Sequence, residues 1–312
     1  MTPVDTLIIA KDSKYGLTRD GEILARAIED CGGGTVQIVG LRDRGLFERL
    51  LRRRRARRAI HIERAFPRWF SAAQEHILIP NQERFPKRHL GRLKRIDRVL
   101  AKTHHAETIF AGLGVETHYL GFTSEDRHDA AVAKDWDAFF HLAGGSTVKG
   151  TEDILALWAD HPDWPTLHLV QKAALAPREI PANVNLIARY QGDETLRVLQ
   201  NRVGMHLCPS RSEGWGHHLV EAMSCGALVV TTDAPPMNEH IDGTNGCLVA
   251  PCRDAPRHLG TNYFVDKQAL AETIRSLIAL PKEEKQRYGE AARKTFLATD
   301  RAFHSRVREL LG

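Results

Sequence analysis

No apolar run in this sequence approaches the roughly 18 residues that a membrane-spanning helix requires. The opening residues, Met1-Thr2-Pro3-Val4-Asp5, lead into no basic-then-apolar signal segment, so the expectation is a cytoplasmic protein. Cysteine is scarce. Cys31, Cys208, Cys225, Cys247 and Cys252 are odd in number and never spaced C-x-x-C, which argues against a disulfide framework and a cysteine zinc site. No G-x-G-x-x-G follows the first apolar run, so a dinucleotide-binding reading is poor. There is neither an internal repeat nor a low-complexity segment. What remains, with 42% hydrophobic and 27% charged residues, is the composition of a soluble globular chain long enough for two ordinary domains.

Acidic residues are outnumbered, and the formal net charge is +5. The basic excess is concentrated in the first half. Nine arginines stand between Arg42 and Arg58, including Arg52, Arg53, Arg54, Arg55, Arg57 and Arg58. A second basic stretch holds Lys87, Arg88, Arg92, Lys94, Arg95 and Arg98. Leu46, Phe47, Leu50 and Leu51 recur at helical spacing, which predicts a helix packed on a sheet with the arginines facing out. Such a surface suits a polyanionic partner, either DNA or an anionic membrane surface, although a charge run also fits a solvated helix face.

Short apolar strands alternate with helices along the chain. Strands are expected at 6–10, 35–39, 77–79, 99–101 and 117–120, with helices at 21–29 and 106–113. The polar stretch Thr123 to Asp129 breaks the pattern and reads as a linker. A second series follows, with strands near 138–142, 167–170, 184–187, 205–208, 228–231 and 247–249. Strands that are apolar throughout are buried on both faces, and alternation with helices implies parallel sheets. The expected fold class is therefore α/β, with two Rossmann-like doubly wound domains facing a central cleft that holds the site. Their expected extents are 1–126 and 127–296, with a C-terminal helix over 297–312 packing back on the first.

Chemistry concentrates between Pro209 and Ile241. A strand ending at Cys208 runs into a turn where Gly214 and Gly216 remove side chains, and a helix then runs from about Gly216 to Ser224. Gly226 is placed to end it. The free amides at the helix start form an anion site. Glu213 stands at its mouth and Glu221 a little over two turns along. Carboxylates accept hydrogen bonds from paired hydroxyls, so this arrangement suits a sugar, a ribose and the phosphates between them. Taken by themselves, the two acids also fit a helix-start acid and a surface residue. A second element, His141 to Thr151, reads as a strand, a glycine-bearing loop, Lys149 and a helix start, and a lysine there can meet a diphosphate.

Glu213 and Glu221 form an E-x7-E pattern, and the whole stretch resembles family 4 of the retaining GT-B glycosyltransferases. The resemblance extends to Pro209-Ser210, Glu221-Ala222-Met223, Asn238 to Ile241 and Gly246 to Val249, and more weakly to Arg98 to Thr103. It implies a GT-B fold and transfer of a sugar from a nucleotide-diphosphate sugar to a hydroxyl with retained configuration. It also implies Lys149 and Glu213 as catalytic residues. Glu213 would hold the sugar and Glu221 the ribose, with Gly214, Trp215, Gly216, His217, Ser146 and Thr147 around the donor. No metal or other cofactor is implied.

The sequence departs from the family in three places. The arginine usual upstream of the lysine is missing from Ala143 to Val148, leaving Ser146, Thr147 or Lys172 as substitutes. The loop Pro80 to Glu83 has no histidine, leaving Asn81 or Gln82. The loop from Lys11 to Gly16 lacks paired glycines. Asp135-Trp136-Asp137 mimics a metal-binding D-x-D but is read as preceding a strand. His217 and His218 are helix neighbours and do not share a face. The acceptor remains open. Rival readings are a DNA-modifying transferase acting on hydroxylated bases, and a non-catalytic protein that binds nucleic acid or sugar.

Overall fold

A computed structural model describes residues 4–11, 16–189 and 191–312, and divides the chain into two units. The first comprises Met1–Thr123, Pro256–Gly260 and Thr299–Gly312, and the second Ser124–Ala255 and Thr261–Ala298. The loop after the first strand falls at residues 12–15, outside the described residues.

In the first unit, β1 (Val4–Ile9), β2 (Val36–Val39), β3 (Ala56–Glu63), β4 (Glu75–Pro80), β5 (Arg98–Ala101) and β6 (Thr117–Tyr119) form one sheet. Its order is β2-β1-β3-β4-β5-β6 and every pairing is parallel. Helices α1 (Gly16–Asp30), α2 (Leu46–Leu50) and α3 (His104–Ala111) lie between strands in the chain. Leu7, Ile9, Val39, Ala56 and Ala59 pack with Trp69 and Ala72, while Leu78 and Val99 pack with Phe85 and with Phe110 of α3. β3 is a strand that the sequence reading missed. It is buried almost throughout, but Arg57 and Arg58 make its start read as a continuation of the solvated run before it.

The second unit holds β7 (Asp135–Gly144), β8 (Leu167–Gln171), β9 (Val184–Ile187), β10 (Val203–Cys208), β11 (Leu228–Thr232) and β12 (Cys247–Val249). The order is β12-β11-β10-β7-β8-β9, again all parallel. Helices α4 (Thr151–Asp160), α5 (Asp193–Arg202), α6 (His217–Ser224), α7 (Lys267–Ala279) and α8 (Lys282–Leu311) complete the helices. A two-stranded hairpin is formed by β13 (Pro251–Arg257) and β14 (Gly260–Val265). Successive residues of a strand face opposite ways. Phe139 accordingly joins Trp158 of α4 and Ile274 of α7, whereas Phe140 joins Leu196 and Leu199 of α5. Helices thus cover both faces of the sheet, as the expected doubly wound fold requires. The order of strand addition reverses between β7 and β10, and the carboxyl ends of strands at such a switch point are where α/β sheets place ligands.

One expectation needs correction and a second needs detail. Asp135 and Asp137 lie within β7, at its start. They sit at the amino end of the strand, and Asp137 is exposed beside Lys285 at 3.8 Å. The segment read as a polar linker holds the boundary between the two units, after Thr123, and is buried in part. Thr123, Ser124 and Arg127 are 3%, 3% and 1% exposed, because their polar atoms find partners inside the fold.

Candidate functional site

The loops leaving β7 and β10 meet at the switch point. The amide of Arg211 donates to Val148 O at 2.8 Å, tying one loop to the other. Gly150, with φ of 69°, caps α4 in a left-handed conformation, and a side chain there would strike the carbonyl of Pro209. Lys149 immediately precedes it. Its Nζ donates to Glu213 Oε1 at 2.7 Å and to His218 Nδ1 at 2.8 Å. Two residues 64 positions apart in sequence thus form an ion pair, with both side chains 14% exposed.

Helix spacing alone gives His218 no role beside its neighbour His217. His218 completes this cluster. Its Nδ1 accepts from an ammonium, so the ring is neutral, and its Nε2–H donates to Ser210 Oγ at 3.2 Å. Burial, reinforced by the Lys149 charge, holds its pKa well below the usual histidine range. Behind it, His141 Nδ1–H donates to Leu207 O at 2.7 Å and Nε2 accepts from Thr151 Oγ1 at 2.9 Å. Burial lowers its pKa to about 4. The pairing of His217 and His218 is no guide, but His218 is two residues beyond Gly216, in the first turn of α6, where its side chain meets Lys149.

Gly216 takes φ of 99° as the N-cap of α6, so the helix starts at His217, one residue later than expected. Gly226, at φ of 68°, ends it in the left-handed conformation. Trp215 is 4% exposed. Its indole N–H donates to Ser124 Oγ at 3.2 Å, and its ring meets His240 edge-on at 4.4 Å between centroids. Ser124 Oγ also shares a 2.8 Å hydrogen bond with His217 Nδ1. His217 and His218 therefore point into different surroundings.

Glu221, on the same helix, is 2% exposed. It accepts from Gln200 Nε2 at 3.2 Å, and Gln200 Oε1 accepts from Arg127 Nε at 2.5 Å. The Arg127 guanidinium also reaches Asp193 Oδ1 at 3.0 Å. Burial opposes its charge, but the fields of Glu221 and Asp193 outweigh that and raise its pKa. Neither Gln200 nor Arg127 carried a signal in the sequence, since each is polar and isolated.

Ser146 accepts from the Val148 amide at 3.3 Å, shaping the loop that also holds Thr147. The Lys172 side chain passes close to Gly145, so the second unit brings this cation to the same loop. Arg211, which the sequence reading did not consider, pairs with Glu152 at 2.5 Å and Asp153 at 3.3 Å in the first turn of α4. Asn81 and Gln82 belong to the first unit, after β4. Gln82 O accepts from the Leu259 amide at 3.2 Å. Asn81 Oδ1 is buried and makes no hydrogen bond among the described residues.

The arginine surface differs most from expectation. Arg58 is 2% exposed. Its Nε donates to Thr6 Oγ1 at 2.6 Å, and its Nη2 to Gly33 O at 3.0 Å and to Leu311 O, so it is a structural tie. Arg55 is paired with Glu48 at 2.6 Å. Only Arg52, Arg53, Arg54 and Arg57 of the predicted six are exposed. The apolar face of α2 does not pack on the sheet, because a five-residue helix ending at Leu50 is too short to lie along it.

The model of the family described as "Glycosyl transferases group 1" matches residues 163–295. The chain is 27% identical over 193 residues to alpha-maltose-1-phosphate synthase of Mycolicibacterium smegmatis, covering 60% of this chain and 46% of that protein. It thus spans about half the length of that relative. A glycosyltransferase structure from Rickettsia africae ESF-5 superposes with a TM-score of 0.74 at 13% identity, over 100% of this chain and 98% of that one. Anabaena Alr3699/HepE in complex with UDP-glucose superposes with a TM-score of 0.67 at 15% identity, over 99% and 98% of the two chains.

Proposed function

We propose that this chain, which has the GT-B fold and is related to the group 1 glycosyl transferases, moves a sugar from a nucleotide-diphosphate sugar to a hydroxyl acceptor with retained configuration. The observation that carries the reading is the Lys149–Glu213 pair at 2.7 Å, set at the carboxyl ends of the strands flanking the switch point and beside the start of α6. An ammonium held there by Glu213 and neutral His218 is oriented before a donor arrives, and helix-start amides add a positive dipole end. Both stabilise charge as it develops on a departing diphosphate. In that step the bond between the anomeric carbon and the diphosphate breaks. A bond from the acceptor oxygen forms on the same face, and the acceptor proton passes to a diphosphate oxygen.

In this reading Glu213 also positions the sugar, and Glu221 the ribose, with Gly214 and Gly216 giving close access to the backbone. Lys172 is a neighbouring cation placed to take the part of the missing family arginine. The first unit supplies the acceptor side, where Asn81 Oδ1 is a buried acceptor atom available to a hydroxyl. No metal is needed, since lysine and helix amides carry the charge.

The test is a panel of UDP-, ADP-, GDP- and dTDP-sugars screened for thermal stabilisation, followed by donor hydrolysis with and without EDTA. One donor should raise the melting temperature and be slowly hydrolysed, unaffected by chelator. If no donor stabilises the chain or turns over, the transferase reading fails. If EDTA abolishes turnover and manganese restores it, the metal-free mechanism fails.

A further inference from the structure

Four of the eight large hydrophobic side chains exposed among the described residues belong to one corner of the first unit. Leu46, Phe47, Leu50 and Leu51 are 62%, 80%, 69% and 77% exposed. They occupy one stripe of α2 and the residue after it, so they present a single apolar tip. Exposed arginines flank it in the chain: Arg42, Arg49, Arg52, Arg53 and Arg54.

This corner is anchored to the body of the unit. Arg44 is 2% exposed. Its guanidinium donates to Arg68 O at 2.8 Å and to Arg53 O at 3.0 Å, so it ties the two ends of the corner to the body behind it. Arg53 N donates to Glu48 O at 2.9 Å, which closes the turn after α2. The acids of the corner are engaged as well. Glu48 accepts from the Gly45 amide at 3.2 Å and from Arg55 at 2.6 Å, and Asp43 accepts from the Gly40 amide at 2.7 Å. Among the described residues, Arg52, Arg53, Arg54 and Arg57 form no ion pair. The result is a fixed apolar tip flanked by uncompensated guanidinium groups.

We propose that this corner docks the chain on an anionic lipid surface, with Phe47 and the three leucines entering the interfacial layer and the arginines meeting headgroup phosphates. The argument is charge complementarity combined with apolar exposure. A nucleic acid would reward the arginines but leave four large apolar side chains in water. A second copy would cover the apolar tip but bring like-charged arginines together. Only an anionic interface rewards both features at once. The proposal does not depend on the transferase reading.

The test uses the full chain and vesicles of phosphatidylcholine alone or with one-quarter phosphatidylglycerol, in flotation assays at low and high salt. The wild type should float with the anionic vesicles, stay free of the neutral ones, and release as salt rises. Phe47→Ser combined with Leu51→Ser should weaken binding at least tenfold, at unchanged melting temperature since both side chains already face water. Arg52→Ser, Arg53→Ser and Arg54→Ser together should weaken it about a hundredfold, at about fivefold per arginine, and flatten the salt dependence. Absence of wild-type binding to anionic vesicles would overturn the proposal. So would an apolar variant that binds as well as the wild type. Tight duplex DNA binding, indifferent to the apolar variant and without vesicle binding, would replace it with a nucleic-acid surface. Self-association in sedimentation that disappears in the apolar variant, again without vesicle binding, would replace it with a contact between copies.

Discussion

The two units treat charge in opposite ways. In the second, each charge at the switch point has a designed counterpart: Lys149 on Glu213, Arg211 on Glu152, and Arg127 on Asp193 and, through Gln200, on Glu221. At the α2 corner of the first, Arg52, Arg53 and Arg54 stand exposed and form no ion pair among the described residues. On the functions proposed above, the difference separates a site that organises charge before a small ligand arrives from a surface suited to a large partner. It also shows that counting charges along a chain is a poor guide. Arg58, inside the basic run, is a buried tie, whereas solitary Arg127 is the centre of a network.

The largest effect should come from the compensated side. Lys149→Ala should reduce sugar transfer or donor hydrolysis by about a hundred- to a thousandfold, the range seen when one preorganised donor is removed. Initial-rate kinetics with the donor found by screening decide this; a loss below tenfold would show that Lys149 does not face the leaving group. Next, Arg127→Met should lower the unfolding free energy by about 3 kcal/mol, since it strips a buried network of its cation. Urea denaturation measures it, and a loss under about 1 kcal/mol would mean that the network is decorative.

Acid should then separate the units. His141, His206 and His240 are held neutral by burial, with pKa values of about 4, 3 and 4, and His218 is also lowered. In the first unit burial lowers His61 to about 3 and also lowers His76, His89 and His105, none of which carries as large a shift as His61. A depressed folded pKa means that the unfolded chain binds the extra protons below about 6.5. Stability is therefore full above that pH and falls as pH drops toward 3–4, by up to about 1.4 kcal/mol per histidine per pH unit. Amide exchange followed from pH 7.5 to 5 should show the second unit losing protection first; equal loss in both would contradict the comparison.

A smaller change is expected from Glu221→Gln, which keeps the shape but removes a charged acceptor. Donor affinity in calorimetry should fall about tenfold. Unchanged affinity would take Glu221 out of the donor site. The smallest is Phe47→Ser, which should shift unfolding free energy by less than about 0.5 kcal/mol, because the side chain is already 80% exposed. A larger loss would mean that the α2 corner is structural after all.

Much of the fold was legible because burial on both faces leaves runs that no helix or loop would keep. All six strands of the second sheet lie where apolar runs predicted them. The glycine turn before α6 and its stop at Gly226 were readable from backbone requirements alone. β3 was not, because arginines in a strand look like arginines on a surface until their partners are known. Nor was the partnership of His218 with Lys149, since a histidine is equally at home in a core and in a site.

Local chemistry in the sequence thus determined the parallel α/β class, the E-x7-E turn and helix, and the glycine-lysine loop, because each depends on neighbours a few residues away. Tertiary structure alone decided which charges are compensated. The reversal between β7 and β10 carries Lys149 across 64 residues to Glu213 and His218. The length of α2 leaves four apolar side chains in water rather than on the sheet. Pairing and exposure of this kind depend on distances through space, which the order of residues does not contain.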